Sequence, residues 1–311
     1  MYKKWRIVSL GLISFLLILF STNFQYVKAQ DTGSTQHPVT IYADNSYGRI
    51  LVADSLTYFH DVSVEDVVVG ASFAGVPTAM VPLKQGIKGW IAHEAGVGKD
   101  EAGISGLPFS QDWGIPAAAV ATMSARLSDG DSLLKGIISH ANEVAIALGV
   151  KPGQTGAEAA ELMLKAAPGR AVTTDNVDAR VHPLAQEGER GIYAVWSLML
   201  IEQHRPNDVF CVASHSARVM AEYAESVMPL GIIANDAGMG MEHSGIDGLP
   251  ILDDKGIAAA AVDTMSARIG NPLSTYHDGI ISAVNQLAKA KGVRVGMPAK
   301  QAADLMLKHT N

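Results

Sequence analysis

Two acidic residues stand in matching settings. Glu94 follows the apolar run 90–92 and precedes Ala95-Gly96-Val97-Gly98, while Asp236 follows 232–234 and precedes Ala237-Gly238-Met239-Gly240. A carboxylate at the end of a buried strand can exchange a proton or coordinate a metal ion. Glycines behind it let backbone amides close on an anion. The same spelling also suits a tight strand-to-helix turn, with an acidic cap and glycines at positive φ. The stretch "AGVGKD" is not a phosphate-cradling P-loop, because it lacks the spacer and the Ser/Thr after Lys99.

Two further positions recur. "TMSAR" ends in Arg126 and again in Arg268. An arginine just past a buried strand either clamps a carboxylate or phosphate in bidentate fashion or forms a structural ion pair, for instance with the loop acid of the other copy. Asn142 and Asn285 sit in "GIIS..N", beside an apolar stripe. A polar amide there needs partners, either a substrate or the backbone of the glycine loop. The copies differ at "VASHSAR", where Ser214, His215 and Ser216 face "GASFAG" with Phe73. A serine–histidine neighbourhood invites a hydrolase reading, yet G-x-S-x-G is absent and sequence neighbours rarely make the activating hydrogen bond. His215, Asp236, His243, His277 and Asp278 lack metal-ligand spacing, so no metal is assigned. No dinucleotide-binding fingerprint is evident, and the cofactor is left unknown.

These positions recur because the chain is duplicated. Residues 89–127 align with 231–269 without a gap, with 23 identities in 39. After one inserted residue the match resumes between 136–153 and 279–296. Each copy alternates short apolar runs with helical patterns, the signature of a parallel sheet covered on both faces. Apolar residues at 134, 137, 138, 141, 145 and 148 predict one helix over 133–148, carrying Asn142. The expected fold is α/β: two tandem Rossmann-like units from an internal duplication, related by a pseudo-twofold axis like a fused homodimer. The expected boundaries are 38–165 for the first repeat, 166–190 for a Pro/Gly-bounded linker and 191–311 for the second repeat.

Residues 1–29 read as a cleaved signal peptide: Lys3, Lys4 and Arg6, then the apolar stretch 7–20, then Val27 and Ala29 at the small-residue positions. This places the protein in the periplasm or outside the cell, the alternative being an inner-membrane anchor through residues 7–20. The segment holds four basic residues and no acidic one. Its removal leaves 20 Lys+Arg against 31 Asp+Glu, a surface that repels nucleic acid and anionic membranes. Cys211, the lone cysteine, lies in an apolar run and reads as a buried, inert thiol.

The sequence therefore favours an exported enzyme of hydrolase or lyase/isomerase type, acting on a small polar or anionic metabolite. Asp236 or Glu94 would serve as acid/base. The amides of Gly96, Gly98, Gly238 and Gly240 with Arg126 or Arg268 would hold the anionic group, and Asn142 or Asn285 would orient it. His215 and Ser214 are further candidates. Two other readings compete: a solute-binding protein whose two α/β lobes close on a ligand, and a noncatalytic scaffold. The expected partner is a small molecule, and association into a homo-oligomer is compatible with all three.

Overall fold

The computed structural model describes residues 37–174 and 177–308. Residues 1–29, expected to be a signal peptide, lie outside the described residues. Among those described, no helix is long and apolar enough to cross a membrane.

The first repeat runs β1 (Thr40–Asn45), β2 (Gly48–Ala53), β3 (Asp66–Phe73), α1 (Val76–Leu83), β4 (Gly89–His93), α2 (Gly106–Asp112), β5 (Ala117–Val120), α3 (Gly130–Lys135), β6 (Ile138–Ala141), α4 (Glu143–Ala147) and α5 (Gly156–Met163). The second repeat matches it: β7 (His182–Glu187), β8 (Arg190–Val195), β9 (Asp208–His215), α6 (Arg218–Val227), β10 (Gly231–Asn235), α7 (Gly248–Asp254), β11 (Ala258–Val262), α8 (Pro272–His277), β12 (Ile281–Val284), α9 (Gln286–Ala290) and α10 (Ala299–Leu307). Each repeat forms one six-stranded sheet with its strands in chain order.

The four central strands of each sheet are parallel, as expected, but the outer strand on each side is antiparallel, so the sheets are mixed. Strands laid side by side in chain order and joined by right-handed crossovers place α1 and α2 on one face. Side-chain alternation in the fully buried strand β3 then feeds two cores. Val68 packs with Trp90, Met80, Leu83 and Leu107 beneath α1 and α2. Val67 and Val69 pack with Leu133, Leu134, Ala159 and Met163 beneath α3 and α5. This stacking brings the carboxyl ends of β3, β4 and β5 to one edge.

Two expectations are corrected. The stretch 133–148 is helix α3, strand β6 and helix α4, where one helix was expected. The apolar spacing fits a helix, but Gly136 leaves α3 in an extended conformation. A side chain at Gly136 would meet Val120 Cγ1 at 2.5 Å. The chain is thereby pulled against the edge of β5, and Ile138–Ala141 pairs with it antiparallel. Asn142 consequently caps α4 and does not lie inside a helix. The stretch 166–190 is also only partly a linker. Strand β7 begins at His182 within it and repeats the role of β1, and Val172 is buried against the first repeat's core.

Candidate functional site at the strand ends

The two glycine-rich loops meet each other. A Cβ on Gly96 would lie 3.0 Å from the Cα of Gly238, so the loops cross with backbone against backbone. Around this crossing the contacts are reciprocal. The Lys99 amide donates to Thr264 O at 2.9 Å and the Met241 amide to Thr122 O at 3.1 Å. Arg126 pairs with Glu242 at 2.5 Å and with Asp247 at 3.0 Å, and Arg268 pairs with Asp100 at 2.8 Å. Phe73, Ala95, Ala102 and Leu127 share an apolar cluster with Ala217, Ala237 and Ile269. A patch that contacts its own duplicate in this way is an isologous interface. It accounts for the shared residues around TMSAR, because both arginines are engaged by acids of the opposite repeat.

The loop backbone is unusual. Ala95, Gly96, Val97 and Gly98 all have φ between 52° and 73°, and Ala237 to Gly240 repeat the pattern. A β-branched valine in the left-handed region costs about 1–2 kcal/mol. The surrounding bonds hold it there: Ala95 N donates to His93 Nδ1, Gly96 N to Thr122 Oγ1, Val97 N to Glu94 O and Gly98 N to Gly96 O. Of the amides expected to cradle an anion, those of Gly96, Gly98 and Gly238 are thus spent inside the protein. Asn142 and Asn285 are likewise internal. Asn142 Oδ1 accepts from Ala117 N and Ala145 N while its Nδ2 donates to Leu107 O and Ile115 O, and Asn285 repeats the set. They tie β5 to α4 and β11 to α9, and the glycine loop is not among their partners.

His93 and Asn235 occupy equivalent positions. Asn235 Oδ1 accepts from Ala237 N, and its Nδ2 donates to Ala267 O. His93 reproduces this with Nδ1 as acceptor and Nε2 facing Ala125 O and Thr122 O, which fixes the neutral Nε2–H tautomer. Full burial pushes its pKa down. H93N should therefore stay within about 1 kcal/mol of the wild type in urea unfolding, whereas H93L, which strands the Ala95 amide, should cost roughly 1–3 kcal/mol. Equal losses for the two variants would refute the equivalence.

The loop acids do not share one environment. Asp236 Oδ1 accepts from Gly238 N at 2.9 Å and Thr264 N at 3.0 Å. Burial raises its pKa, against the pull of Ser282 and the two amides. Burial also pushes Glu94 up, but there the hydrogen bonds win and the pKa falls below the usual carboxylate range. Glu94 Oε1 accepts from both the amide and the hydroxyl of Thr122 at 2.8 Å. Its Oε2 accepts from the Ser139 hydroxyl and lies 3.2 Å from His140 Nδ1.

The signs follow for stability. The depressed Glu94 stabilises the fold above the unfolded carboxylate pKa of about 4.3 and loses that contribution as pH falls through its lower folded value. The raised Asp236 behaves oppositely: its ionisation works against the fold, and that penalty disappears as pH falls through its folded value. At pH 7, E94Q should unfold at lower urea than wild type and D236N should not, and the E94Q deficit should shrink below about pH 4. An E94Q deficit that is unchanged in acid would contradict this assignment.

The Glu94 side chain is 12% exposed and the His140 side chain 43%. Nδ1 hydrogen-bonds the Ser139 hydroxyl at 3.0 Å, which itself donates to Glu94 Oε2, and Nε2 has no partner among the described residues. The arrangement is an imidazole tied through the Ser139 hydroxyl to the Glu94 carboxylate beside it, with one nitrogen free to take a proton from water or a substrate. The second repeat has Ala283 where the first has His140. The sequence alone gives His140 no role. The usable signal was Ser139, kept as Ser282 in both copies and directly before the residue that differs.

His215 and Ser214 lie elsewhere, lining a cavity between the repeats with Ser55, Ser72, Trp196 and Tyr223. Burial pushes His215 down to about 4. Cys211 is buried, and burial pushes its thiol up. Among the described residues, no three His, Cys, Asp or Glu side chains cluster to hold a metal ion.

Comparisons with protein-family models, with curated proteins and with solved structures return no match.

Proposed function

We propose that the protein is an exported enzyme of hydrolase or lyase/isomerase type, acting on a small polar metabolite, with its chemistry confined to the first repeat. The carrying observation is the Glu94–His140 pair. A carboxylate held by three donors, one of them Ser139, lies 3.2 Å from an imidazole that Ser139 also hydrogen-bonds and whose other nitrogen is free. In a hydrolytic cycle, His140 Nε2 takes a proton from water as the oxygen attacks the substrate. The imidazolium is stabilised by Glu94, and the proton then passes to the leaving group. The second repeat acts as scaffold: Asp236 caps its own loop and lacks an imidazole neighbour. Arg126 and Arg268 hold the joint between the repeats.

The competing solute-binding reading requires two lobes that part and close. Crossed backbones, reciprocal hydrogen bonds and a shared apolar cluster weigh against such a hinge. The test is turnover on a panel of small carboxylic esters, amides, lactones and hydroxy acids. Activity found with wild type should be lost in H140A without a change in urea midpoint. Activity that survives H140A, or wild type that turns over nothing in the panel while changing compactness with a ligand, would reject the enzyme reading at this site.

A further inference from the structure

Neighbouring side chains on a regular strand point to opposite faces, so a serine and a histidine adjacent in sequence do not ordinarily meet. Ser139 and His140 do meet, with Oγ and Nδ1 3.0 Å apart. The cause is a β-bulge in β6. Val120 pairs with Ile138 and Ala119 with His140, so Ser139 is the extra residue. A bulge of this kind re-aims the side chains beside it. Here both reach Glu94 Oε2, the hydroxyl as a donor and Nδ1 at 3.2 Å. Ser139 and His140 are both half-buried, and neither is enclosed by the core. The second repeat keeps the bulge: Val262 pairs with Ile281, Ala261 with Ala283, and Ser282 is left over. Ser282 donates to Ala261 O at 3.3 Å, and Ala283 supplies no base. The bulge and its serine thus belong to the fold of both repeats, whereas the imidazole beside the serine belongs to the first alone. A hydroxyl next to a base that is itself held by a third group is the arrangement of an activated nucleophile.

We propose that Ser139 is a nucleophile that accepts the acyl group of a carboxylic ester, forming a covalent acyl-Ser139. This rests on the hydrolase reading of the Glu94–His140 pair and adds a substrate class to it. The cycle starts with the imidazole proton on Nε2, and rotation about Cβ–Oγ turns the Ser139 proton from Glu94 to His140 Nδ1. As Oγ bonds the ester carbonyl carbon, its O–H bond breaks and Nδ1 takes the proton. The Nε2 proton then passes to the departing alkoxide as the C–O bond of the ester breaks. His140 is left with a proton on Nδ1 and a lone pair on Nε2. Nε2 next takes a proton from water as the water oxygen bonds the acyl carbon. The bond from that carbon to Oγ breaks, Oγ recovers the Nδ1 proton, and the acid leaves. Glu94 stabilises the imidazolium in both halves.

The experiment treats the full-length protein with diisopropyl fluorophosphate and locates the adduct by peptide mass spectrometry. At the nucleophile a P–O bond forms, the P–F bond breaks, fluoride leaves and His140 takes the hydroxyl proton. The expected result is an adduct on Ser139 and none on Ser282, which serves as the control within the same chain. H140A should slow the labelling of Ser139 by roughly 10²–10⁴-fold. The site is read in the wild-type protein, so the outcome does not depend on S139A folding. Ser139 left unmodified, modified no faster than Ser282, or modified equally fast in H140A overturns the proposal. If Ser139 does not react while H140A still abolishes turnover, the nucleophile falls and the Glu94–His140 reading stands. Turnover that survives H140A rejects that reading itself.

Discussion

E94Q is expected to lower turnover about as far as H140A does, by roughly 10²–10⁴-fold, and the double variant is expected to fall no further. Glutamine keeps the shape of Glu94 but removes the charge that stabilises the imidazolium 3.2 Å away. It also places an amide NH₂ against a donor, either the Thr122 pair or Ser139, so the carboxylate-binding pattern cannot be met in full. Two residues that act as one unit give non-additive losses, and that pattern separates catalysis from folding. E94Q is itself expected to lower the urea midpoint, so it is H140A that separates a lost catalytic step from a folding defect. His140 is exposed enough that H140A should leave its midpoint unchanged. Additive rate losses, or an E94Q variant with undiminished turnover, would show that Glu94 is a loop cap and no more.

G238A is expected to destabilise the protein by roughly 2–5 kcal/mol, against about 1–2 kcal/mol for G256A. Both glycines have positive φ, 70° and 76°, so both substitutions carry the left-handed penalty. The difference is space. A Cβ on Gly238 would sit 2.8 Å from Gly96 Cα and 3.1 Å from Gly96 N, while one on Gly256 would meet nothing within 4 Å. Backbone cannot yield as a side-chain tip can, so the loops must separate and strain the reciprocal bonds around them. G96A should behave like G238A. Urea unfolding of the three variants reads the comparison directly. Equal costs for G238A and G256A would mean that the loops do not cross as described. Set against a typical total stability of about 5–15 kcal/mol, the expected loss is a large share.

Much of the architecture was legible because duplication repeats each constraint. Val67–Ala71 and Val209–Ala213 recur as continuous buried runs, and only strands covered on both faces read that way. The helix expected over 133–148 failed for a physical reason. Leu134, Ile138 and Ala145 all reach the core at helical spacing but from three elements, and the turn at Gly136 depends on Val120 from another strand. Periodicity records which residues are buried and is silent on the path between them. The candidate site was legible as a place but not as a set of roles. Glu94 and Asp236 look interchangeable in sequence, yet one is pulled down by Ser139, Thr122 and His140 and the other is pushed up by burial.

The chain by itself determined the two α/β repeats, the strand ends at which polar residues gather, and the equivalence of the copies, because local patterning and internal identity carry that information. Only the tertiary structure decided that the loops cross at the interface, that Arg126 and Arg268 pair with acids from the opposite repeat, and that His140 lies on Glu94. Those facts depend on distances between residues far apart in sequence, and such distances are set by how two packed sheets meet.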